Sequence, residues 1–340
     1  MKKLENRIAL LLPYFGKLPP YFQLWLNTGE RNASYIDYIL ITDQNMNAYT
    51  IPQNVNVINT SFEQIRERVK EKFDFPISLE EPYKLCDFKP AYGEIFSDLL
   101  RNYGFWGFCD PDIIWGDISK YINESFLTGR YDKIGCLGHL QILKNNIKVN
   151  KTYRYNDGNM MRNYKVVFSS PYSFAFDEQY SFEILAQKNK LKVANLLDKE
   201  ITPFADIDPF TYSFKRNYGD LDEINFKYFY YSKETGLKEV NYLNNGKVIE
   251  SDCMYLHLQK RNMKVDPGNG KYTLIYPNVI RSNNSLLSYE NIKDISRRVK
   301  RENLRYRAES KMKLYLRVPY PSYISHMIKF KKFIKQNRKD

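Results

Sequence analysis

The hydrophobic pattern begins with Arg7 and a run of five apolar residues, Ile8 to Leu12, closed by Pro13. An unbroken run of this length predicts a strand buried on both faces. Apolar positions at Tyr21, Phe22, Leu24, Trp25 and Leu26 then predict a helix. Tyr35 to Ile41 predicts a second strand ending at Thr42-Asp43, and Val55 to Ile58 a third. A helix from Ser61, its cap, to about Lys72 follows. Ala91 to Arg101 predicts another helix. Phe105 to Cys109 predicts a short apolar strand that ends at Asp110.

Strands alternating with helices over the first 130 or so residues predict an α/β fold with a mostly parallel sheet. Ligands bind such sheets beyond the carboxyl ends of the strands, so the loops after Leu12, Ile41, Ile58 and Cys109 are expected to share one crevice. Residues 132–260 read as mixed, with strands expected at Lys133–Leu137, Leu140–Lys144, Lys227–Tyr231 and Met254–Leu258. Beyond about 288 the pattern is helical, broken by Pro319 and Pro321. No internal repeat or Gly/Ser linker appears.

Composition changes this picture in three places. Hydrophobic residues at 43% and charged residues at 27% fit a globular chain and exclude a disordered one. The four cysteines, Cys86, Cys109, Cys136 and Cys253, form no CxxC pair, which fits neither a zinc knuckle nor a disulfide framework and suggests a reducing compartment. Ile8 to Leu12 is too short for a signal peptide core, and no stretch reaches the roughly 20 apolar residues of a spanning helix. The net charge of +13 is uneven: residues 293–340 carry sixteen Lys/Arg against four acids, which leaves the preceding 292 residues at about +1. A nearly neutral body therefore ends in a strongly basic segment.

The candidate chemistry lies first in Asp110-Pro111-Asp112, two carboxylates leaving a buried strand. Charges there must be solvated, paired or metal-bound, and oxygen ligands suit Mg²⁺ or Mn²⁺. A second DxD, Asp206-Ile207-Asp208, lies near Pro203 and Pro209 and reads instead as a loop with capping acids. His257 ends an apolar run directly before Lys260-Arg261; an imidazole can complete a carboxylate metal site, and cations beside it can hold a diphosphate, although a structural histidine is an equal reading. Lys84, Asp87 and Lys89 cluster ahead of a helix, either as a phosphate environment or as a salt-bridged cap. Asp177 and Glu178 follow the aromatic Phe174-Ala175-Phe176 and are candidate general bases or a helix cap.

Two long motifs, Pro82-Tyr83-Lys84-Leu85-Cys86-Asp87-Phe88-Lys89-Pro90-Ala91-Tyr92-Gly93 and Phe105-Trp106-Gly107-Phe108-Cys109-Asp110-Pro111-Asp112-Ile113-Ile114-Trp115-Gly116-Asp117, carry a resemblance. Together with Pro13-Tyr14-Phe15-Gly16, Phe176-Asp177-Glu178 and His257 to Arg261, they resemble a little-characterised bacterial family of capsular and exopolysaccharide gene clusters, assigned to GT-A-type glycosyltransferases. The resemblance implies a GT-A-like catalytic domain over 1–285, with a nucleotide-sugar-binding half at 1–130 and an acceptor-side half at 131–285, and a basic helical segment at 286–340. It implies that Asp110 and Asp112 bind Mn²⁺ or Mg²⁺ with His257. Pro13, Tyr14, Asp43, Lys84, Asp87, Lys89, Asp110 and Lys260 would then contact the donor, favoured as a UDP-sugar. The longer His–Gly–Lys motif of retaining GT-A enzymes is absent, which leaves the stereochemical course open.

On this reading a sugar passes to a saccharide or lipid-linked acceptor, with Asp177 or Glu178 as base if the reaction inverts. The basic end, 293–340, suits an anionic membrane at the cytoplasmic inner face, and His326 to Lys335 reads as an interfacial amphipathic helix. One rival is a phosphatase of the haloacid-dehalogenase type; it is disfavoured because more than 100 residues precede Asp110 and Ile114 stands where that type carries Thr or Val. The other is a nucleic-acid-binding protein, which the near-neutral body argues against.

Overall fold

A computed structural model describes residues 4–315, apart from 125–126, 128–129, 198–201, 210, 219 and 221–222. The Pro319 and Pro321 breaks and the expected interfacial helix at 326–335 lie outside the described residues. The chain forms two compact units, and the second begins at Ser288.

The first unit opens with β1 (Leu4–Pro13), β2 (Ile36–Thr42), β3 (Val55–Asn59), β4 (Tyr103–Cys109), β5 (Ile113–Trp115), β6 (Lys133–Ile134), β7 (Leu140–Lys144) and β8 (Val193–Ala194). It continues with β9 (Ala205–Asp206), β10 (Ile224–Ser232), β11 (Gly236–Leu243), β12 (Val248–Asp252), β13 (Tyr255–His257), β14 (Lys264–Asp266), β15 (Tyr272–Tyr276) and β16 (Val279–Asn283). These build three sheets: β3-β2-β1-β4-β7-β6-β8, β12-β11-β10-β15-β16-β14, and the small β5-β13-β9.

The class is α/β, as the pattern predicts, but the large sheet is mixed rather than mostly parallel. β3, β2, β1 and β4 run parallel, whereas β7 is antiparallel to both β4 and β6. For the β6–β7 pair the reason is local: only residues 135–139 separate the two strands. That is room for a hairpin and not for the crossover of a dozen residues that a parallel pair requires.

Two helices flank the parallel half. Helix α1 (Phe22–Gly29) buries Phe22, Trp25 and Leu26. Helix α2 (Phe62–Lys70) starts at Ser61 with a full capping box, in which Ser61 Oγ accepts from the Gln64 N–H and the Gln64 side chain accepts from the Ser61 N–H. The helix expected over Ala91 to Arg101 contracts to Tyr92–Ile95 followed by turns.

Ile8 to Leu12 are buried on both sides of the sheet, as an unbroken apolar run should be. One face packs Leu10 and Leu12 with Trp25, Tyr38 and Trp115, whose rings meet at 4.9–5.9 Å between centroids. Beyond β4, Phe108 meets Tyr92, which meets Phe96. Pairs of this kind add about 0.5–1.5 kcal/mol beyond their buried area.

The six-stranded sheet draws its strands from residues 224–283, and of those strands the hydrophobic pattern marked only Lys227 to Tyr231, in β10. Polar residues interrupt its period because several are buried in pairs. Glu239 on β11 binds Lys227 on β10 at 2.9 Å and also the guanidinium of Arg216. A strand carrying buried, paired charges does not alternate apolar with polar, so the period-2 signal is lost.

The small sheet sets the position of the one histidine that the sequence singles out. β13 lies between β5 and β9, with His257 opposite Ile113 on one side and Asp206 on the other. Its close approach depends on Gly116, where a Cβ would stand 1.9 Å from the Cys253 carbonyl oxygen. Gly116→Ala should therefore push β5 and β13 apart and lower stability by about 1–3 kcal/mol, the usual cost of overpacking. Urea unfolding of both proteins measures this, and an unchanged midpoint would contradict the close approach.

Candidate functional site

The strand order places a topological switch point between β1 and β4, because the chain steps outward through β2 and β3 and then returns to the other side of β1. Asp110 leaves β4 at that point. Its backbone is fixed from two sides: its N–H donates to the His139 carbonyl at 3.0 Å, and its carbonyl accepts from Trp25 Nε1 at 3.1 Å. Helix α1 also supplies Thr28, whose Oγ1 accepts from the Trp115 N–H. Asn32, just beyond, accepts from the Ile118 N–H and donates to the Gly116 carbonyl. The segment carrying both carboxylates is thus clamped to a helix, so their positions are set before any ligand arrives.

Asp112 is buried, and the register of β13 brings His257 to it. His257 Nε2 lies 3.4 Å from Asp112 Oδ1, while His257 Nδ1 meets Asp206 Oδ1 at 2.9 Å. Asp110, Asp112 and His257 offer ligand atoms within 4.8 Å of one another. Asp112 Oδ1 is buried yet accepts no hydrogen bond. A buried carboxylate oxygen with no hydrogen bond, facing an imidazole nitrogen whose other nitrogen is held by a carboxylate, belongs to a set of atoms that could hold a metal ion. Two carboxylates and one imidazole suit Mn²⁺ or Mg²⁺ better than a thiolate-seeking ion. The residues fit the cation that the resemblance implies.

The second DxD therefore supplies an orienting carboxylate. Asp206 also accepts from Gln259 Nε2 at 2.5 Å and from Asn217 Nδ2 at 3.0 Å. A second cluster, His139 with Asp206 and His257, is equally close. It makes a poor metal site, however. The two imidazoles are stacked at 3.9 Å with planes 27° apart, so a single ion cannot lie along both in-plane lone pairs. His139 instead backs His257 and bonds the Tyr255 hydroxyl at 2.9 Å.

Electrostatics follow from this packing. Burial alone would lower the His257 pKa, but Asp112 and then Asp206 hold it up to about 10. Burial alone would raise Asp112, but the His257 charge and the Lys260 N–H hold it down to about 2. An ion held by Asp112 and His257 would replace the imidazole proton, so metal uptake would release a proton. His139 is pushed well below the usual histidine range, first by burial and then by the His257 charge.

The turn after β13 completes the arrangement. Gln259 and Lys260 both adopt left-handed backbone conformations, with φ of 46° and 58°. Two such residues in sequence are costly outside glycine and point to a constrained site. The gain is visible: the turn delivers the Lys260 N–H to Asp112 Oδ2 at 2.5 Å. Arg261 is buried behind it, its guanidinium given to the Thr211 and Asp208 carbonyls and to Asn278 Oδ1.

Lys89 joins the metal side to the other candidate acids. Its buried ammonium binds Asp110 Oδ1 at 2.7 Å, the Gly138 carbonyl at 2.7 Å and Asp177 Oδ2 at 3.2 Å. At position 138 a Cβ would lie 2.5 Å from Asp177 Oδ2 and 2.6 Å from Glu178 Oε1, so a larger residue there would displace these carboxylates. One ammonium cannot neutralise several carboxylates. Burial, helped by Glu178 and Asp110, therefore raises Asp177 to about 7 despite Lys89.

A cavity of about 570 Å³ opens beside these carboxylates. Of the residues expected at the donor, Pro13, Tyr14, Lys89, Asp110 and Lys260 line it, together with Asp112. Lys84, Asp87 and Asp43 do not. The Lys84 ammonium is spent on Asp87 and on the Val167 and Tyr172 carbonyls, while Asp87 accepts from the Phe174 and Phe176 N–H groups. This pair is a buried clasp that positions Asp177 and Glu178, which themselves do not line the cavity. Asp43 is exposed at the end of β2, away from the switch point, and Ile41 and Ile58 line a separate hollow against α2. The four loops thus divide between two concavities. Sequence reasoning passed over His139, Tyr83 and the role of Asp206; for His139, its place one residue before a strand paired with β4 was the available signal.

Fold and site together define a mixed α/β protein with a candidate divalent-cation centre at a sheet switch point. The chain belongs to a family whose description is a family of unknown function (DUF6625), matched over residues 10–284, which includes Asp110, Asp112, Asp206 and His257. No curated protein matches it.

Asp177 gives a signed pH test. Its folded-state pKa lies above the ordinary 3.8, so the folded chain holds a proton that the unfolded chain has lost between about pH 4 and 7. The stability it contributes is complete below that window and lost as pH rises through it, on the order of a few kcal/mol. In metal-free buffer Asp177→Asn should lack this loss, so its melting temperature should gain on wild type from pH 5 to pH 8. A constant difference would refute the raised pKa.

Proposed function

We propose that this chain is a metal-dependent glycosyltransferase with a GT-A-like catalytic unit, acting on a nucleotide-diphosphate sugar. The observation that carries the reading is the joining of three things at one switch point: the Asp110/Asp112 pair, an oriented His257, and a cavity lined by Tyr14, Tyr83, Lys17 and Lys260. Flat rings suit a nucleoside, and lysines beside a cation site suit a diphosphate.

Asp110, Asp112 and His257 would hold the Mn²⁺ or Mg²⁺. When bound, that ion neutralises charge gathering on the departing nucleoside diphosphate. Asp206 fixes the His257 tautomer and aims Nε2 at Asp112. Lys260 contributes its backbone N–H to Asp112, and its side chain lines the cavity. Asp177, buried and tied to Lys89, holds that lysine against Asp110. If the reaction inverts, Glu178, half-buried, is the proposed base toward the acceptor hydroxyl; if it retains, no protein base is required.

The second unit supports a membrane-side acceptor. Its helix, Tyr289–Tyr315, exposes Lys293, Arg297, Arg298, Lys300, Arg301 and Arg305. Among the described residues, no helix is long and apolar enough to cross a membrane. A basic surface of this kind gains about 1 kcal/mol per charge near anionic lipid. We propose peripheral attachment at the inner face of a cell membrane, with a lipid-linked saccharide as acceptor. Sedimentation with vesicles should show binding to anionic and not zwitterionic lipid, weakened at about 0.5 M salt, where exposed charges are screened. Equal binding to both vesicle types would sink this part.

For the reaction, a panel of nucleotide sugars with Mn²⁺ should give nucleoside diphosphate release from one donor, lost in Asp112→Asn and on chelation. Asp206→Ala should keep the ligands but weaken Mn²⁺ about 10–100-fold, the usual effect of removing an orienting partner. Titration calorimetry reads this directly. If neither variant alters Mn²⁺ affinity, the proposed centre is wrong.

A further inference from the structure

Tyr83 and Lys260, from two segments of the cavity's rim, meet there. Tyr83 is 60% exposed, an unusual place for a large ring, and the Lys260 ammonium lies 4.4 Å from the centre of that ring. Both segments are built stiffly. Tyr83 sits on the Pro82–Lys84 turn, held from below by the buried Lys84 clasp on Asp87 and the Val167 carbonyl. Lys260 sits on the left-handed turn, held by its N–H to Asp112 and by the Arg261 N–H to the Leu258 carbonyl at 2.9 Å. Two anchored backbones therefore keep the ammonium and the ring within reach of each other.

A lysine beside a cation centre is most useful to a polyphosphate when its ammonium points into the cavity. Here it rests on the ring instead, and Tyr83 accepts the cation through its face. On the reading of this cavity as a diphosphate and metal site, we propose that Tyr83 is a positioning residue: it parks Lys260 off the diphosphate position until an anion draws the ammonium away. An exposed ammonium–ring contact is weak, and a charge-assisted bond to phosphate is stronger, so a diphosphate wins the exchange while a less charged ligand does not. The contact thus lowers affinity for any phosphate ligand that engages Lys260, while a ligand with too little charge to displace the ring leaves the ammonium parked.

The arrangement has an unusual signature. Removing an ordinary binding residue weakens binding, whereas removing a parking residue strengthens it. The probe is inorganic pyrophosphate with Mn²⁺, followed by titration calorimetry on the full chain. Tyr83→Leu should bind pyrophosphate about 2–5-fold more tightly than wild type, the range that an exposed cation–ring contact allows. Tyr83→Phe, which keeps the ring face, should match wild type. In a Lys260→Met background the Tyr83→Leu change should have no effect, because the parked group is gone. Since Tyr83 is largely exposed, these variants should fold, and their melting temperatures check it.

Unchanged or weaker pyrophosphate binding in Tyr83→Leu overturns the proposal, as does tightening that persists in the Lys260→Met background. Failure of the wild-type protein to bind pyrophosphate with Mn²⁺ would be a different result. It would remove the diphosphate reading of the cavity, and this inference with it, before any Tyr83 variant is made.

Discussion

Everything at the candidate centre depends on the register of one short strand. β13 runs between β5 and β9, and that pairing alone puts His257 between Asp112 and Asp206. A slip by one residue would turn the imidazole to the other face of the sheet, since side chains alternate along a strand. Leu256 would take its place, and Asp112 would keep a buried negative charge with no imidazole beside it. The cost of that uncompensated charge is one reason the register holds. The three strands have only three, three and two residues, so they cannot supply the order by themselves. They are held by their surroundings: α1 beneath the carboxylate segment, Gly116 against Cys253, and the left-handed turn that returns Lys260 to Asp112.

Around that register the charged groups form a graded series. Asp112 and Asp206 share His257, Lys89 links Asp110 to Asp177, and Lys84 fixes Asp87 under the segment that carries Asp177. His257 and Lys89 each reach two carboxylates, so neither neutralises one alone, whereas Lys84 pairs with Asp87 only. The consequence is a set of carboxyl groups with widely separated affinities for protons, from Asp206 and Asp112, both held well below the usual carboxylate range, to Asp177 near 7. Such separation is common where catalysis occurs, because different protonation states are needed side by side at one pH. The same sharing explains why the centre tolerates so much buried charge without collapsing into separate ion pairs.

Much of this was legible in the chain. Ile8 to Leu12 is a buried strand because nothing in it requires water, and Ser61 with Gln64 caps a helix through contacts only three residues apart. Asp110 and Asp112 stand out because a buried strand cannot end in two free carboxylates. These features rest on local rules of periodicity, capping and desolvation, and local rules can be read from neighbours in the sequence. The sequence also separated a near-neutral body from a basic end, since charge is simply counted.

The tertiary structure alone decided the rest. It turned β7 against β4, it moved Asp43 away from the cavity, and it gave Lys84 and Asp87 to a buried clasp rather than to a ligand. It promoted Asp206 from a loop acid to the residue that orients His257, and it brought Tyr83 to Lys260 across 177 positions. None of these is fixed by neighbouring residues, because each depends on which distant strand or turn comes to lie alongside. A lysine near a helix start reads the same whether its ammonium faces a phosphate or a buried aspartate. Only the packing, which decides what is within hydrogen-bond reach, separates the two.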